Sequence, residues 1–256
     1  MDDLAARATR LRELHAGSPM LVLPNAWDAA SARAVEAAGF AAVATSSGAI
    51  ARMLGRPDGE AMTPDEAFAA VAVVARSVGV PVTADMESGY GLHATEFVDR
   101  LLEAGAVGCN YEDTDHRAGG KTLVPTGVQA GRLLAVKEAG RDAGVDIVVN
   151  ARVDTFVRRV KLPLDEALAR GRRYVEAGVD CVYPITAWAE SDVRALVEGI
   201  AAPVNIMYRP NQLTLSALDA LGVRRVSMGS GLHTIAMERV QQSLTALAAH
   251  DEAVWS

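Results

Sequence analysis

The stretch DIVVNARVDTFVRRVKLPLDEALARGRRYVEAGVDCVYPI, residues 146–185, contains one complete strand–helix–strand unit. Two short apolar or β-branched runs, 146–152 and 180–185, flank an amphipathic stretch near 164–177. The helix ends at EAGVD, whose glycine can adopt the left-handed conformation that closes a helix before the next strand begins. Because the return is short, the two strands are predicted to be parallel and joined by a right-handed crossover.

The same unit recurs along the chain, with similar helix ends at EAAGF, EAGAV and ALGVR. We predict eight strands, at residues 20–25, 41–46, 81–85, 106–112, 146–152, 180–185, 203–207 and 224–229. Helices are predicted near 28–38, 64–78, 94–104, 127–143, 164–177, 189–199, 214–221 and 232–249. Eight units without a break in composition favour an α/β fold of the (β/α)8 TIM-barrel type, with one domain over residues 1–256. No GxGxxG follows the first strand, which disfavours a Rossmann domain.

Composition limits the classes of function. The net charge is −7 and the basic residues are dispersed, so a nucleic-acid partner is not expected. The two cysteines form no CxxC pair, and the charged first segment does not resemble a signal peptide, so we expect a reduced, cytoplasmic protein. No run of 18 apolar residues occurs, and therefore no membrane span is expected.

Polar residues cluster where the predicted strands end. In a parallel barrel the carboxyl ends of the strands meet at one face, where barrel active sites form. Two long connections, 47–63 and 113–126, leave this face, and connections of this length carry function or act as lids. The candidate site residues are Ser46, Ser47, Gly48, Asp58, Asp85, Glu87, Glu112, His116, Lys121, Arg152 and Asn205.

Four of these residues are acidic: Asp58, Asp85, Glu87 and Glu112. Clustered carboxylates repel one another unless a cation or a shared proton compensates them. The chain offers no cysteine–histidine ligand set, so an all-oxygen site suits Mg²⁺ or Mn²⁺ rather than zinc. The pattern therefore predicts a divalent-metal site. The alternative is that each acid caps the helix that follows it, where negative charge is favourable.

Other positions suggest how an anionic substrate is held and protonated. Arg152 follows an apolar strand, and its guanidinium can bind a carboxylate or stabilise an enolate oxygen, unless a neighbouring acid occupies it in a salt bridge. The turn at residues 46–48 offers N–H groups and two hydroxyls to an anion. Asn205 is a further candidate substrate contact. His116 and Lys121 are candidate proton carriers of a mobile lid, and a solvated polar loop is the alternative.

Eight segments in order carry a resemblance along nearly the whole chain: LVLPNAWDAASARAVEAAGF, ATSSGAIARMLGRPDGE, PVTADMESGYG, GAVGCNYED, VVNARVDTF, RRYVEAGVDCVYPI, PVNIM and LGVRRVSMGSGL. On these segments the chain resembles the isocitrate lyase/phosphoenolpyruvate mutase superfamily. The resemblance implies a barrel whose C-terminal helix is exchanged between subunits of a homodimer or homotetramer.

The resemblance also implies roles for the candidate residues. It implies Mg²⁺ or Mn²⁺, held largely through water by Asp85, Glu87 and Glu112, with Asp58 nearby. It implies that the carboxylate of a small 2-oxo acid is cradled by Ser46, Ser47 and Gly48. It further implies that Arg152 lies next to the oxo or enolate oxygen. Together with the cation, this residue would stabilise the enolate that forms when the neighbouring bond breaks.

The loop after the fourth strand departs from the pattern of isocitrate and methylisocitrate lyases. Those enzymes carry an acid/base cysteine in a Lys-Lys/Arg-Cys-Gly-His motif, whereas residues 115–121 read DHRAGGK. The resemblance therefore indicates a short, cysteine-lacking subgroup. We expect a Mg²⁺-dependent lyase that cleaves a C–C bond of a small 2-oxo or 2-hydroxy diacid. Three alternatives stay open: P–C bond chemistry on phosphonopyruvate, hydrolysis or decarboxylation of oxaloacetate, and a non-catalytic barrel that binds an oxo acid.

Overall fold

The computed structural model describes residues 2–251. Within this range the helices are α1 (Asp2–Ala16), α2 (Ala29–Ala37), α3 (Ser47–Met53), α4 (Pro64–Ala75), α5 (Ala94–Glu103), α6 (Thr126–Asp142), α7 (Pro163–Glu176), α8 (Glu190–Gly199), α9 (Leu215–Ala220) and α10 (Gly231–Ala248). The strands are β1 (Leu21–Leu23), β2 (Asn25–Ala26), β3 (Val43–Thr45), β4 (Val82–Asp85), β5 (Gly108–Glu112), β6 (Val148–Val153), β7 (Cys181–Pro184), β8 (Asn205–Met207) and β9 (Arg225–Ser227).

All strand pairs are parallel, and the strands follow one another in chain order. One sheet runs from β2 to β7, and a second has the order β1-β9-β8. The two sheets adjoin at both edges, because only Pro24 separates β1 from β2 and a parallel bridge links Val182 to Val204. This is the strand order of the predicted (β/α)8 TIM barrel, which is confirmed. The exchange of the last helix between subunits stays a prediction.

Two local features differ from the prediction. The first predicted strand, 20–25, is divided at Pro24, which has no N–H to donate to a ladder. The predicted loop 47–63 begins with helix α3 instead of irregular chain. Ser46 starts this helix, since its Oγ accepts a hydrogen bond from the Ala49 N–H at 3.3 Å. The serine–glycine turn proposed as an anion nest is therefore the first turn of a helix.

Helix α1 closes the amino end of the barrel. Its residue Leu11 is fully buried, and its Arg12 forms an ion pair of 2.8 Å with Asp180 at the start of β7. His15 Nδ1 contacts the Leu11 carbonyl at 2.7 Å, and His15 Nε2 lies 3.2 Å from the guanidinium of buried Arg225. Burial and the Arg225 charge lower the pKa of His15 to about 4, so the imidazole is neutral at pH 7. With this end closed, the carboxyl end is the open face.

The core consists of the strands and the inward faces of the surrounding helices. The strand residues Ala84, Cys109, Val149 and Val182 are fully buried, as is Phe97 of α5. Burial of this apolar surface is the main favourable term for folding. Within residues 2–251, no helix combines the length and the hydropathy that a membrane crossing requires.

Two glycines of α6 provide a matched test of this packing. A Cβ at Gly140 would lie 2.8 Å from the Val145 carbonyl oxygen, whereas a Cβ at Gly131 would meet nothing within 4 Å. We expect Gly140→Ala to lower the free energy of unfolding by about 1–3 kcal/mol through overpacking. Gly131→Ala should raise it by about 0.5–1 kcal/mol, because alanine favours the helix. Urea unfolding followed by circular dichroism measures both, and effects of the same sign would contradict the described contact.

Candidate active site

A small cavity opens at the carboxyl end of the barrel. Its volume is about 140 Å³. Six of the predicted site residues line it, namely Ser46, Ser47, Gly48, Asp58, Asp85 and Arg152. They come from the start of α3, the connection after α3, and strands β4 and β6, which are distant in sequence and converge because the strands are parallel.

The first turn of α3 forms one wall of the cavity. Ser46 is the N-cap of this helix, and its Oγ lies 3.1 Å from the Ser230 Oγ. The N–H and Oγ of Ser47 both donate to Asp85 Oδ2, at 3.1 and 2.8 Å. A Cβ at Gly48 would lie 2.9 Å from Asp58 Oδ2. A larger residue at this position would therefore displace the Asp58 carboxylate from its place beside the helix.

Asp85 receives hydrogen bonds on both carboxylate oxygens. Besides the Ser47 donors on Oδ2, Asn110 Nδ2 donates to Oδ1 at 3.3 Å. The Asn110 Oδ1 accepts from Asn150 Nδ2 at 2.8 Å and from an Arg225 guanidinium N–H at 3.1 Å. These two donors fix the orientation of the Asn110 amide, so that its NH₂ group faces Asp85. The carboxylate is thus held in one orientation at the edge of the cavity.

An ion-pair network joins the carboxyl ends of β5 and β6. Arg152 Nη1 lies 2.6 Å from Glu112 Oε2, and its Nε and Nη2 donate to the two oxygens of Asp154 at 2.7 and 3.1 Å. Glu112 is only 3% exposed and Asp154 is fully buried. Burial opposes the charge of Arg152, but Asp154 and Glu112 raise its pKa well above the ordinary value. Arg152 is therefore both ion-paired and present in the cavity wall.

His116 joins this network from the loop after β5. Its Nε2 lies 2.6 Å from Glu112 Oε1. Burial raises the pKa of the Glu112 carboxyl, although Arg152 counteracts part of this effect. Burial alone would lower the pKa of His116, but the hydrogen bond and charge of Glu112 raise it above its ordinary value. The pair therefore holds a proton between imidazole and carboxyl near neutral pH.

Glu87 lies on the turn after β4 in the left-handed region, with φ of 48°. Its Oε2 accepts from the Glu60 N–H and its Oε1 from the Tyr90 hydroxyl at 3.0 Å. The pKa of Glu87 is raised to about 8 by burial and by the negative charges of Glu112, Asp58 and Asp85. The four predicted acids are thus near enough to repel one another. Within residues 2–251, no three His, Cys, Asp or Glu side chains are arranged to ligate a metal ion directly.

The remaining predicted residues lie outside the cavity wall. Asn205 is buried, and its Nδ2 donates a hydrogen bond to Ser227 Oγ at 3.2 Å. Ser227 lines the cavity, whereas Asn205 does not. Lys121 is exposed and forms no hydrogen bond or ion pair with any described residue. Its catalytic role stays a prediction. Cys109 and Cys181 lie in strands, where burial raises the pKa of each thiol to about 12.

The sequence prediction missed several residues of the cavity. Asn110, Tyr183, Ser227 and Ser230 line it as well. A signal existed for Asn110, because it precedes Glu112 by two positions in a strand and therefore shares its face. A polar residue inside an otherwise apolar strand of a barrel is a candidate for the interior of the site.

Comparison with known proteins gives consistent matches over nearly the whole chain. The family model described as phosphoenolpyruvate phosphomutase matches residues 11–248. An uncharacterized protein of Mycobacterium tuberculosis is 35% identical over 216 residues, which cover 84% of this chain and 80% of that protein. The 2,3-dimethylmalate lyase of Eubacterium barkeri is 31% identical over 201 residues, which cover 75% of this chain and 68% of that protein.

A solved structure gives the same result. The crystal structure of phosphoenolpyruvate phosphomutase from Streptomyces platensis subsp. rosaceus matches with a TM-score of 0.84 and 28% identity, covering 95% of this chain and 88% of that chain. The region matched by the family model contains all eleven predicted site residues, from Ser46 to Asn205. The chain therefore belongs to the phosphoenolpyruvate phosphomutase family, within the PEP mutase/isocitrate lyase superfamily.

Proposed function

We propose that the protein is a lyase that cleaves a C–C bond of a small 2-oxo or 2-hydroxy diacid, with Mg²⁺ or Mn²⁺ as cofactor. One observation carries this proposal. A cavity of about 140 Å³ brings the start of α3, the carboxylate of Asp85 and the guanidinium of Arg152 together. Its size suits a molecule of a few carbon atoms, since sites for drug-sized ligands measure roughly 300–1,000 Å³.

The relatives support two classes of bond cleavage. The 2,3-dimethylmalate lyase, at 31% identity, supports the carbon–carbon class. The phosphoenolpyruvate phosphomutase structure, at 28% identity, supports phosphorus–carbon chemistry as the second candidate. Sequence identity does not separate the two classes, because a carboxyvinyl-carboxyphosphonate phosphorylmutase of Arabidopsis thaliana is 34% identical over 184 residues. We propose the carbon–carbon class as the first candidate and phosphorus–carbon chemistry as the second. The products formed distinguish C–C bond cleavage of the diacid from oxaloacetate hydrolysis or decarboxylation. A barrel that only binds the oxo acid would form no product.

The residues present fit a hydrated divalent cation. All the candidate donors are carboxylate oxygens. Burial and then the negative charges of the other three acids raise the pKa of Glu87, and a bound cation would offset that repulsion. Mg²⁺ retains several waters and is commonly held by one or two carboxylates, so a direct cage of three side chains is not required. We infer that Asp85 holds the cation, with Glu87, Glu112 and Asp58 acting through water. When bound, the cation supplies a Lewis acid for charge that develops on a substrate oxygen.

The chain itself supplies the groups that bind and orient the substrate. The hydroxyl of Ser46 and the N–H of Gly48 are donors for the substrate carboxylate. The N–H groups of Ser47 and Ala49 already donate to Asp85 and Ser46. Arg152 is positioned for the oxo or enolate oxygen, and its other N–H groups are occupied by Asp154 and Glu112. A donor that is fixed before the reaction stabilises developing charge without reorganising during the bond cleavage.

Proton transfer is assigned to the pair of His116 and Glu112. A retro-aldol cleavage needs a base that removes the hydroxyl proton and an acid that returns a proton to the carbanion carbon. The imidazole and carboxyl lie 2.6 Å apart, so one proton can move between them. We propose that this pair takes the acid/base role of the cysteine in the motif that the loop lacks. Lys121 is the alternative proton carrier and would require the loop to move.

We propose that the protein is a homodimer or homotetramer in the cytoplasm, with neither nucleic-acid nor membrane partners. Helix α10 supports an oligomer, because its residues Ile235, Met237, Val240 and Leu244 are exposed. Exposed apolar side chains along one helix are typical of a surface that is covered in an assembly. The net charge of −7 argues against binding to polyanions.

The first test is a panel of 2-oxo and 2-hydroxy diacids incubated with Mg²⁺, with pyruvate, glyoxylate, oxalate and phosphate measured together. We expect a C–C cleavage product that is no longer formed when a chelator removes the cation.

Asp85→Asn should lower kcat/KM by roughly 10²-fold or more and weaken Mg²⁺ affinity, because the negative charge of the carboxylate that holds the cation is lost. Asp99→Asn is the matched control, since Asp99 is exposed on α5. Release of phosphate from phosphonopyruvate would instead favour phosphorus–carbon chemistry, and unchanged Mg²⁺ affinity in Asp85→Asn would refute the metal site.

The second test separates the geometry of Arg152 from its charge. Arg152→Lys keeps a cation beside Glu112 and Asp154 but loses the planar fork, so we expect kcat to fall by roughly 10²-fold. Circular dichroism should confirm that the variant folds, and Arg173→Lys on the surface of α7 serves as the control. Full turnover by Arg152→Lys on the substrate identified above would exclude a role that depends on the guanidinium.

A further inference from the structure

A second cavity of about 250 Å³ lies between the loop after β5, the turn before α5 and helix α6. We call it the rear cavity, and its polar lining consists of Ser88, His93, Tyr111, Thr114, Asp115, His116, Arg117 and Arg132. It shares no lining residue with the active-site cavity. Among the residues with a proposed role in the reaction, His116 also lines this rear cavity.

The rear cavity is locally positive in a chain whose net charge is −7. Arg132 projects from α6 and forms no hydrogen bond or ion pair with any residue in the range 2–251. Arg117 donates an N–H to the Gly91 carbonyl oxygen at 3.0 Å but has no carboxylate partner among the described residues. The acid in the lining, Asp115, accepts a hydrogen bond from the Ala118 N–H of its own loop. Two guanidinium groups thus face a cavity whose lining contains one carboxylate, and neither guanidinium forms an ion pair with it.

Tyr111 provides an independent indication of a ligand. It is only 5% exposed, and its hydroxyl forms no hydrogen bond with any described residue. Its ring is held edge-on against Phe97, with centroids 5.4 Å apart, so the side chain has little freedom to turn toward another acceptor. The side chain lines the rear cavity, and its hydroxyl is a hydrogen-bond donor that an oxygen acceptor of a ligand held there would satisfy.

The first turn of α5 adds donors at the same cavity. His93 is the N-cap of this ten-residue helix and makes no side-chain capping bond. The first N–H groups of the helix are therefore not satisfied by the N-cap side chain, and the positive end of the helix dipole lies at the cavity rim. Arginine, phenol and helix N–H groups are all donors, and together they select an oxyanion rather than a cation or an apolar molecule.

We propose that the rear cavity binds a small oxyanion, a phosphate or carboxylate group, in a position distinct from the active-site cavity. The ligand would bridge Arg117 of the loop and Arg132 of α6. Because His116 precedes Arg117, binding at this position would hold the loop in the arrangement that places His116 on Glu112. The site is thus a regulatory one, and its occupancy controls the mobility of the loop. The binding itself does not depend on which reaction the active site catalyses.

Calorimetric titrations with inorganic phosphate and with succinate test the proposal and distinguish the two sources of oxyanion. We expect saturable binding of at least one of them, at one site per chain. Arg132→Gln should weaken that affinity at least tenfold, and it leaves no group unpaired, so it should fold. Tyr111→Phe removes only the hydroxyl and should weaken the affinity severalfold. Arg33→Gln, an exposed arginine on α2, and Ser46→Ala in the active-site cavity should leave the affinity unchanged.

Limited trypsin digestion reports on the loop without requiring activity. Trypsin cleaves after Arg117 and Lys121, both of which are exposed. The bound anion should slow cleavage of the wild-type chain severalfold and have no such effect on Arg132→Gln. The proposal is overturned if neither anion binds, or if Arg132→Gln and Tyr111→Phe bind like the wild type. It is also overturned if Ser46→Ala alone abolishes binding, which would place the anion in the active-site cavity.

Discussion

The site depends on the ion-pair network of Arg152 with Glu112 and Asp154. Two carboxylates buried at neighbouring strand ends would be strongly unfavourable without a cation. The guanidinium of Arg152 compensates both negative charges, because it forms an ion pair with Glu112 and another with Asp154. The register of β5 and β6 pairs Glu112 directly with Arg152, so the sheet itself sets this contact. Everything proposed for the cavity, including the proton shared with His116, requires this pairing to be in place.

The two ends of the barrel carry opposite charge patterns. At the closed amino end, Arg225 is buried beside a neutral His15 and the amide of Asn110, with no ion-pair partner among residues 2–251. At the open end, Asp85 relies on neutral donors, and Glu87 is surrounded by other acids. Negative charge is therefore concentrated at the mouth, where a hydrated cation and an anionic substrate can bind together. The Asn110 amide links the two ends, since it accepts from Arg225 and donates to Asp85.

The sequence predicted most of the fold because apolar runs alternate with amphipathic stretches along the chain, and four of the helices end at a similar glycine motif. It did not predict α3, since a seven-residue helix with Ser and Gly at its start has weak periodicity. The acids at strand ends were predictable because parallel strands bring their carboxyl ends together. A neighbouring acid, Asp154 or Glu112, was the expected alternative partner of Arg152, and the structure shows that Arg152 pairs with both. The rear cavity left no sequence signal, because Arg117 and Arg132 belong to a loop and a helix face that meet only in the folded chain.

We propose that acidic side chains at the mouth of the barrel hold one hard cation beside the substrate. A crystal structure of the protein soaked in Mg²⁺ and oxalate tests it most directly. We expect a hydrated ion next to Asp85, with oxalate between the first turn of α3 and the guanidinium of Arg152. Carboxyl groups of Asp85 and Glu112 that face apart, with neither ion nor oxalate between them at saturating concentrations, would contradict the claim.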